Sequence, residues 1–247
     1  DVVGLAGAGT NGGQTGVAPI SLDAIEEFQI SVAPFDVRIG GFAGGAINAV
    51  TRSGSNNVEA SVYGFFRNQG TAGLDPNRPE RGDWETDNPG LDYRDEFNLA
   101  DFGATTAGFR IGGPIIKDKV FFFINAELQR EETPLPVTGE YIGNSSPEDL
   151  DRLIAKINSF GYDPGEYDNA RQYLNSNKVT AKLDFNLNQA NKLSIRHGYV
   201  FAENLEGVRS SSTRTRFLNE SEYFVSSTHS TALELNTIVN NEISNNL

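Results

Sequence analysis

Lys178-Val179-Thr180-Ala181-Lys182-Leu183-Asp184-Phe185-Asn186-Leu187 is the stretch that decides the fold. Every odd position is apolar. The even positions are Lys, Thr, Lys, Asp and Asn. Period two places the two sets on opposite faces of one strand. Outward from this stretch the same alternation recurs. Leu193, Ile195, Tyr199 and Phe201 stand opposite Ser194, Arg196 and Gly198, and Leu233 and Leu235 stand opposite Glu234 and Asn236. Upstream, Ile124, Ala126 and Leu128 alternate with Asn125, Glu127 and Gln129, and Ala107, Phe109 and Ile111 with Thr106, Gly108 and Arg110. Val58, Ala60, Val62, Gly64 and Phe66 alternate with Glu59, Ser61, Tyr63, Phe65 and Arg67.

The connections also alternate. Residues 68–102, 131–177 and 204–222 read as long loops, while 113–119, 188–192 and 239–241 read as short turns. Long loops at one end and tight turns at the other is the layout of an outer-membrane barrel. A soluble β sandwich alternates too, but its loops seldom segregate by length so regularly. One helix is expected in the second long loop. Ser146 caps it, Pro147 takes its first position, Glu148 and Asp149 face its positive end, and Gly161 stops it.

Composition sets further bounds. The chain has 247 residues, a formal charge of −13, and neither Cys nor Met. Without Cys, a disulfide framework, a thiolate metal site and a Cys nucleophile are excluded. The absence of Met, including at position 1, is expected of a chain that begins inside a longer product. No signal peptide is visible at Asp1-Val2-Val3. The negative charge argues against nucleic acid as a partner. No apolar run is long enough for a transmembrane helix, but a barrel strand needs only about ten alternating residues.

Before residue 57 the character differs. Residues 1–20 are rich in Gly, Ala and Thr; Ile25–Val32 reads as a strand, Ala46–Thr51 as a second, and Ser53-Gly54-Ser55-Asn56-Asn57 as a turn. Gly44-Gly45-Ala46-Ile47-Asn48-Ala49-Val50-Thr51-Arg52-Ser53-Gly54 closely resembles the end of the plug in TonB-dependent receptors, with Gly44, Gly45, Ile47, Asn48, Thr51, Arg52 and Gly54 as its motif positions. Ile25–Ile30 looks like the plug strand before it. Gly112-Gly113-Pro114-Ile115-Ile116-Lys117-Asp118-Lys119-Val120-Phe121-Phe122-Phe123 looks like the first periplasmic hairpin of the Oar-like branch, and Pro19–Ile25 and Ala33–Arg38 fit that branch too. The matches lie in family order over about residues 19–130; the later strands match in pattern only.

The resemblance implies an all-β fold: a transmembrane antiparallel β-barrel, here partial, with the C-terminal part of a plug domain. Residues 1–57 would be plug, and 58–247 the first six barrel strands plus a seventh starting at Glu242. Whole barrels of this kind have about 22 strands around a plugged lumen. Six or seven cannot close, so the remaining wall must come from elsewhere. The implied place is the Gram-negative outer membrane, and the implied activity is TonB-dependent uptake of an unidentified ligand. The implied partners are the TonB energy-transducing complex, outer-membrane lipid and possible outer-membrane proteins. A non-transporting surface role in adhesion or assembly uses the same scaffold, and a soluble β-rich binding domain is a further alternative.

Parity assigns Val179, Ala181, Leu183, Phe185, Leu193, Ile195, Leu233 and Leu235 to the lipid face, with Lys178 and Glu234 pointing inward. Glu59, Arg67, Arg110, Glu127, Lys182, Asp184 and Arg196 are the candidates to line the lumen or hold the plug. Gly44 and Gly45 are expected to permit close backbone approach. The carboxylates from Asp75 to Asp101 read as a solvated acidic loop or a Ca²⁺ site, although no Asp-x-Asp-x-Asp-Gly spacing occurs. His197 and His229 stand too far apart in sequence to suggest zinc. There is no nucleophile elbow and no phosphate loop, so no catalytic residue, metal or cofactor is assigned.

Overall fold

The computed structural model describes residues 2–4, 13–32, 45–135, 145–167, 170–238 and 244–246. Three strands, β1 (Val2–Gly4), β2 (Ile25–Val32) and β3 (Gly45–Thr51), form a small sheet in the order β1-β3-β2. The remaining strands form a separate sheet. These are β4 (Glu59–Asn68), β5 (Gly103–Ile116), β6 (Val120–Pro134), β7 (Arg171–Asn186), β8 (Asn191–Glu206), β9 (Glu222–Ile238) and β10 (Ser244–Asn246). Each pairs antiparallel with the next, so this sheet is a pure meander from β4 to β10 that does not close on itself.

The register aligns the strands in rows. Phe122, Leu183, Ile195 and Leu233 lie side by side on one face. Phe123, Lys182, Arg196 and Ala232 lie side by side on the other. Burial runs opposite to hydropathy. Leu183 is 37% exposed, Val179 41% and Leu233 66%, whereas Lys178 and Lys182 are each 6% exposed and Arg196 7%. In water this arrangement would leave a broad apolar face uncovered. In a bilayer that face belongs against acyl chains and the charged face against protein or water, as in a transmembrane β-barrel.

The short connections share one end of the sheet. The Asn186 amide and side chain donate to the carbonyls of Lys119 and Asp118 at 2.7 and 2.9 Å, joining the β5–β6 and β7–β8 turns. The turn at 53–57 lies there too, with Asn56 both donating to and accepting from Asp118 at 2.6 and 2.8 Å. The long loops gather at the opposite end. Arg171 reaches Asp101 and Glu132, and the Leu218 amide donates to the Glu166 carbonyl. The turn expected at 239–241 and the strand start expected at Glu242 lie outside the described residues.

The first long loop runs from 69 to 102, close to its expected bounds, whereas the second and third are shorter than expected from sequence. Pairing of β6 with β7 continues to Pro134↔Arg171, and of β8 with β9 to Glu206↔Glu222. The reason is chemical. Gln129–Thr133 are polar on both faces, and Tyr173–Asn177 and Glu203–Glu206 carry only Leu174 and Leu205 as aliphatic side chains, so the alternation that marks the membrane-embedded part is lost while the backbone ladder continues. Strands of 14 to 17 residues in β5–β9 thus outrun the 9–11 needed to cross the hydrocarbon.

The first long loop is more ordered than its composition suggests. It holds α1 (Gln69–Ala72), α2 (Arg81–Asp87) and α3 (Tyr93–Glu96). None has an apolar period; the rings of Trp84, Tyr93 and Phe97 hold α2 and α3 together with centroids 4.9 to 5.5 Å apart. In the second loop α4 (Pro147–Asn158) forms where the sequence places it, with a reciprocal Ser146–Asp149 capping box and Gly161 at φ 81° just beyond it.

Two substitutions test the orientation of the sheet. Leu183→Arg puts a cation on the apolar face at a cost of about 2–4 kcal/mol, depending on depth. It should sharply lower the fraction of full-length protein recovered as folded barrel in an electrophoretic heat-modifiability assay. Ser194→Ala, on the opposite face, should leave that fraction near wild type.

Candidate functional site at the junction of the two sheets

The N-terminal segment meets the polar face of the large sheet through side chains. The polyproline-like and helical turn around Ile20–Ala24 buries Ile20, Ala24 and Ile25 with Ala49 of β3 and Phe123 of β6. This small apolar contact positions three polar side chains, Ser21, Asp23 and Ser53, against the wall.

Ser21 lies over β4 and β6. Its hydroxyl donates to Glu127 Oε2 at 2.8 Å and lies 3.1 Å from the Tyr63 hydroxyl. Tyr63 donates to the same Glu127 oxygen at 2.5 Å. The other oxygen accepts from Lys178 Nζ at 2.8 Å, with both side chains under a tenth exposed. Glu127 thereby links strands β4 and β7 to the N-terminal segment. Gly108, opposite Tyr63 in the ladder, makes this possible, because a Cβ there would lie 2.4 Å from the Tyr63 hydroxyl. The missing side chain lets the phenol lie across β5 and reach β6.

Asp23 forms a second cluster. Its carboxylate accepts from Ser61 at 3.0 Å and pairs with Arg110 Nε at 3.2 Å, while the same Nε lies 3.0 Å from the Ser61 hydroxyl. A third contact lies nearer the turn end, where Lys182 Nζ donates to Ser53 Oγ at 2.9 Å and sits 3.7 Å from Asp184. Just beside it the backbones approach closely. A Cβ on Gly54 would stand 2.3 Å from the Phe122 carbonyl oxygen and 2.8 Å from that of Gly113. Only glycine fits.

The sequence candidates therefore divide. Arg110, Glu127, Lys182 and Asp184 stand at the junction. Glu59 shares with Arg110, Arg52, Gly54 and Glu26 the lining of a cleft of about 140 Å³. Arg196 is buried on the same face. Arg67 instead lies exposed near the long-loop end, its guanidinium 5.5 Å above the Phe102 ring. Of the glycine-rich motif, Gly44 lies outside the described residues, Gly45 opens β3 opposite Val32, and Ile47 pairs with Ile30 through the backbone. Asn48 pairs with Gln29 on one side and Gly4 on the other, Thr51 is buried, and the Arg52 amide donates to the Ala24 carbonyl at 2.9 Å. Gly54, a further glycine of the motif, makes a close backbone approach of the kind expected of Gly44 and Gly45.

Tyr63, Ser21, Asp23 and Ser53 were not among the sequence candidates. Parity placed Tyr63 with Glu59, but nothing local singles out the other three. His197 and His229 do meet, on neighbouring strands of the apolar face, with Nε2 and Nδ1 3.4 Å apart and Thr231 hydrogen-bonded to His197. Among the described residues no three His, Asp or Glu side chains converge as a metal set.

A meander with an apolar outer face and a charged inner one is the wall of an outer-membrane barrel, and the comparisons agree. Residues 50–143 match the family described as outer membrane beta barrel domain. The chain is 30% identical over 198 residues, 76% of its length, to the TonB-dependent transporter Oar of Myxococcus xanthus. It spans 17% of the length of that relative. No solved structure matches the chain. The chain is thus similar to a TonB-dependent transporter and to an outer-membrane barrel family, and its place is the outer membrane of a Gram-negative cell. These likenesses are to a transporter and a barrel family, and neither is to an enzyme.

Two variants probe the junction. Glu127→Gln leaves Lys178 buried without its counter-charge, at a cost of about 3–5 kcal/mol, and Glu127→Leu with Lys178→Met should recover most of it. Urea unfolding of the full-length protein in vesicles measures both. Gly54→Ala should lift the 53–57 turn off the wall, read as faster protease cleavage near residue 54 with little change in barrel yield.

Proposed function

We propose that residues 1–57 are the end of a plug domain and 58–247 the first part of a barrel wall, in a protein that imports a ligand with energy relayed by TonB. In this reading Glu59, Arg110, Glu127, Lys182, Asp184 and Arg196 face the lumen and hold the plug, and Arg67 lines the lumen near its outer rim. The observation that carries it is the chemistry of the junction. Among the described residues the two sheets share no strand pairing, and beside the small apolar contact around Phe123 they meet through Ser21–Glu127, Asp23–Arg110 and Ser53–Lys182. Such groups exchange protein partners for water at small net cost, about 0.5–1.5 kcal/mol for a typical hydrogen bond. An apolar interface of the same extent would not. A polar junction therefore holds the segment at rest and releases it under a modest pull. Ligand recognition then falls to the long loops at the opposite end.

The chain has no cysteine, so a single one reports cleanly from within it. In cells carrying the full-length protein, Ser53→Cys should react faster with a membrane-impermeant maleimide when the membrane is energised. The increase should vanish when TonB is deleted. Labelling independent of both would contradict the import reading.

A further inference from the structure

The first long loop, residues 69–102, is the most acidic part of the chain, with nine carboxylates against three arginines. The arginines are not scattered among the acids. All three, Arg78, Arg81 and Arg94, line one open cleft of about 530 Å³, and of the nine acids only Glu80 joins them. The sheet register sets this cleft at the end away from the turns, because β4 leaves the turn end at Glu59 and reaches the loop at Asn68.

The cleft has a built wall. The Tyr93 hydroxyl donates to the Pro79 carbonyl, and the Tyr93 ring is buried against Trp84 and Phe97. The Asp75 amide donates to the Phe97 carbonyl at 2.9 Å, closing the loop on itself. The Arg81 guanidinium lies 5.9 Å above the Tyr93 ring and pairs with Glu85 at 2.7 Å, so it is oriented and largely neutralised. Arg78 donates to the carbonyl of Asp75 at 2.7 Å, which fixes its position and leaves its charge uncompensated. Arg94 has no side-chain partner among the described residues. Two guanidinium charges thus stand unanswered in a cleft whose surroundings are strongly negative.

We infer that this cleft is a capture site for a small polyanion bearing carboxylate or phosphate groups. Planar guanidinium donors match both oxyanions in two-point geometry. The volume suits a ligand of modest size. The acidic remainder of the loop sharpens selectivity, since it repels anions that do not reach the arginines. In an importer the site would take the ligand first at the cell surface. That role rests on the import reading, whereas the binding itself does not.

The test is calorimetric titration of the full-length protein in detergent with citrate and, separately, with inorganic phosphate. The proposal expects saturable binding of at least one probe, and the stronger probe tells which oxyanion the site prefers. Arg78→Gln with Arg94→Gln should weaken it about tenfold or more. Arg152→Gln with Lys156→Gln removes the same charge from α4 in the second loop and should leave it unchanged. Arg94→Gln alone breaks no internal contact and should already weaken binding severalfold. Trp84, the chain's one tryptophan, packs against Tyr93, so its emission should shift at the calorimetric midpoint, a signal that Trp84→Phe removes without removing the heat. Absence of saturable heat with both probes, or equal weakening by the two double variants, overturns the site. Lost citrate or phosphate binding with energised Ser53→Cys labelling intact would refute this site alone. Intact binding with no energised labelling would refute import and leave the site.

Discussion

Everything in this chain depends on a sheet that buries its charges and exposes its apolar side chains. Lys178, Lys182 and Arg196 are almost inaccessible, while Leu183, Val179 and Leu233 stand open on the other face. The period of a strand is two, so a slip of one residue would exchange the faces. It would put Lys182 and Arg196 against hydrocarbon and Leu183 against the polar junction. The register of β6, β7, β8 and β9 is therefore fixed by the bilayer as much as by its hydrogen bonds.

The buried charges in turn need partners, because an uncompensated charge away from water is costly. Lys178 finds Glu127 one strand away. Arg110 and Lys182 find Asp23 and Ser53, which belong to the N-terminal segment. The wall's need for partners and the segment's need for a seat are thus met by the same contacts. Glycines set the distances: Gly108 makes room for the Tyr63 ring, and Gly54 lets two backbones touch where any side chain would collide with the Phe122 carbonyl.

How much of this the sequence disclosed follows from how local each signal is. The alternation in residues 178–187 is complete within ten positions, so strand faces, the turn after Ile116 and the inward direction of Glu127 and Lys182 could be read directly. The strand ends could not, since residues 129–134 and 171–177 stay paired after the alternation stops. Nor could α2 and α3, which rest on the packing of Trp84, Tyr93 and Phe97 and not on any apolar period. Ser21, Asp23 and Ser53 meet residues 38 to 129 positions away, a separation that no local pattern encodes. Within the glycine-rich motif, Gly54 is a position where a close approach to the wall is seen.

The central claim is the two-faced wall, and the most direct measurement is a spin-label scan of residues 178–186, one cysteine at a time, in the full-length protein reconstituted in lipid. Collision with oxygen, which concentrates in the bilayer, is compared with collision with a water-soluble nickel chelate. The account predicts strict period-two alternation, with the oxygen maxima at Val179, Ala181, Leu183 and Phe185 and low oxygen contact at the even positions. A profile without that alternation, or one with its maxima at Thr180, Lys182 and Asp184, would contradict it.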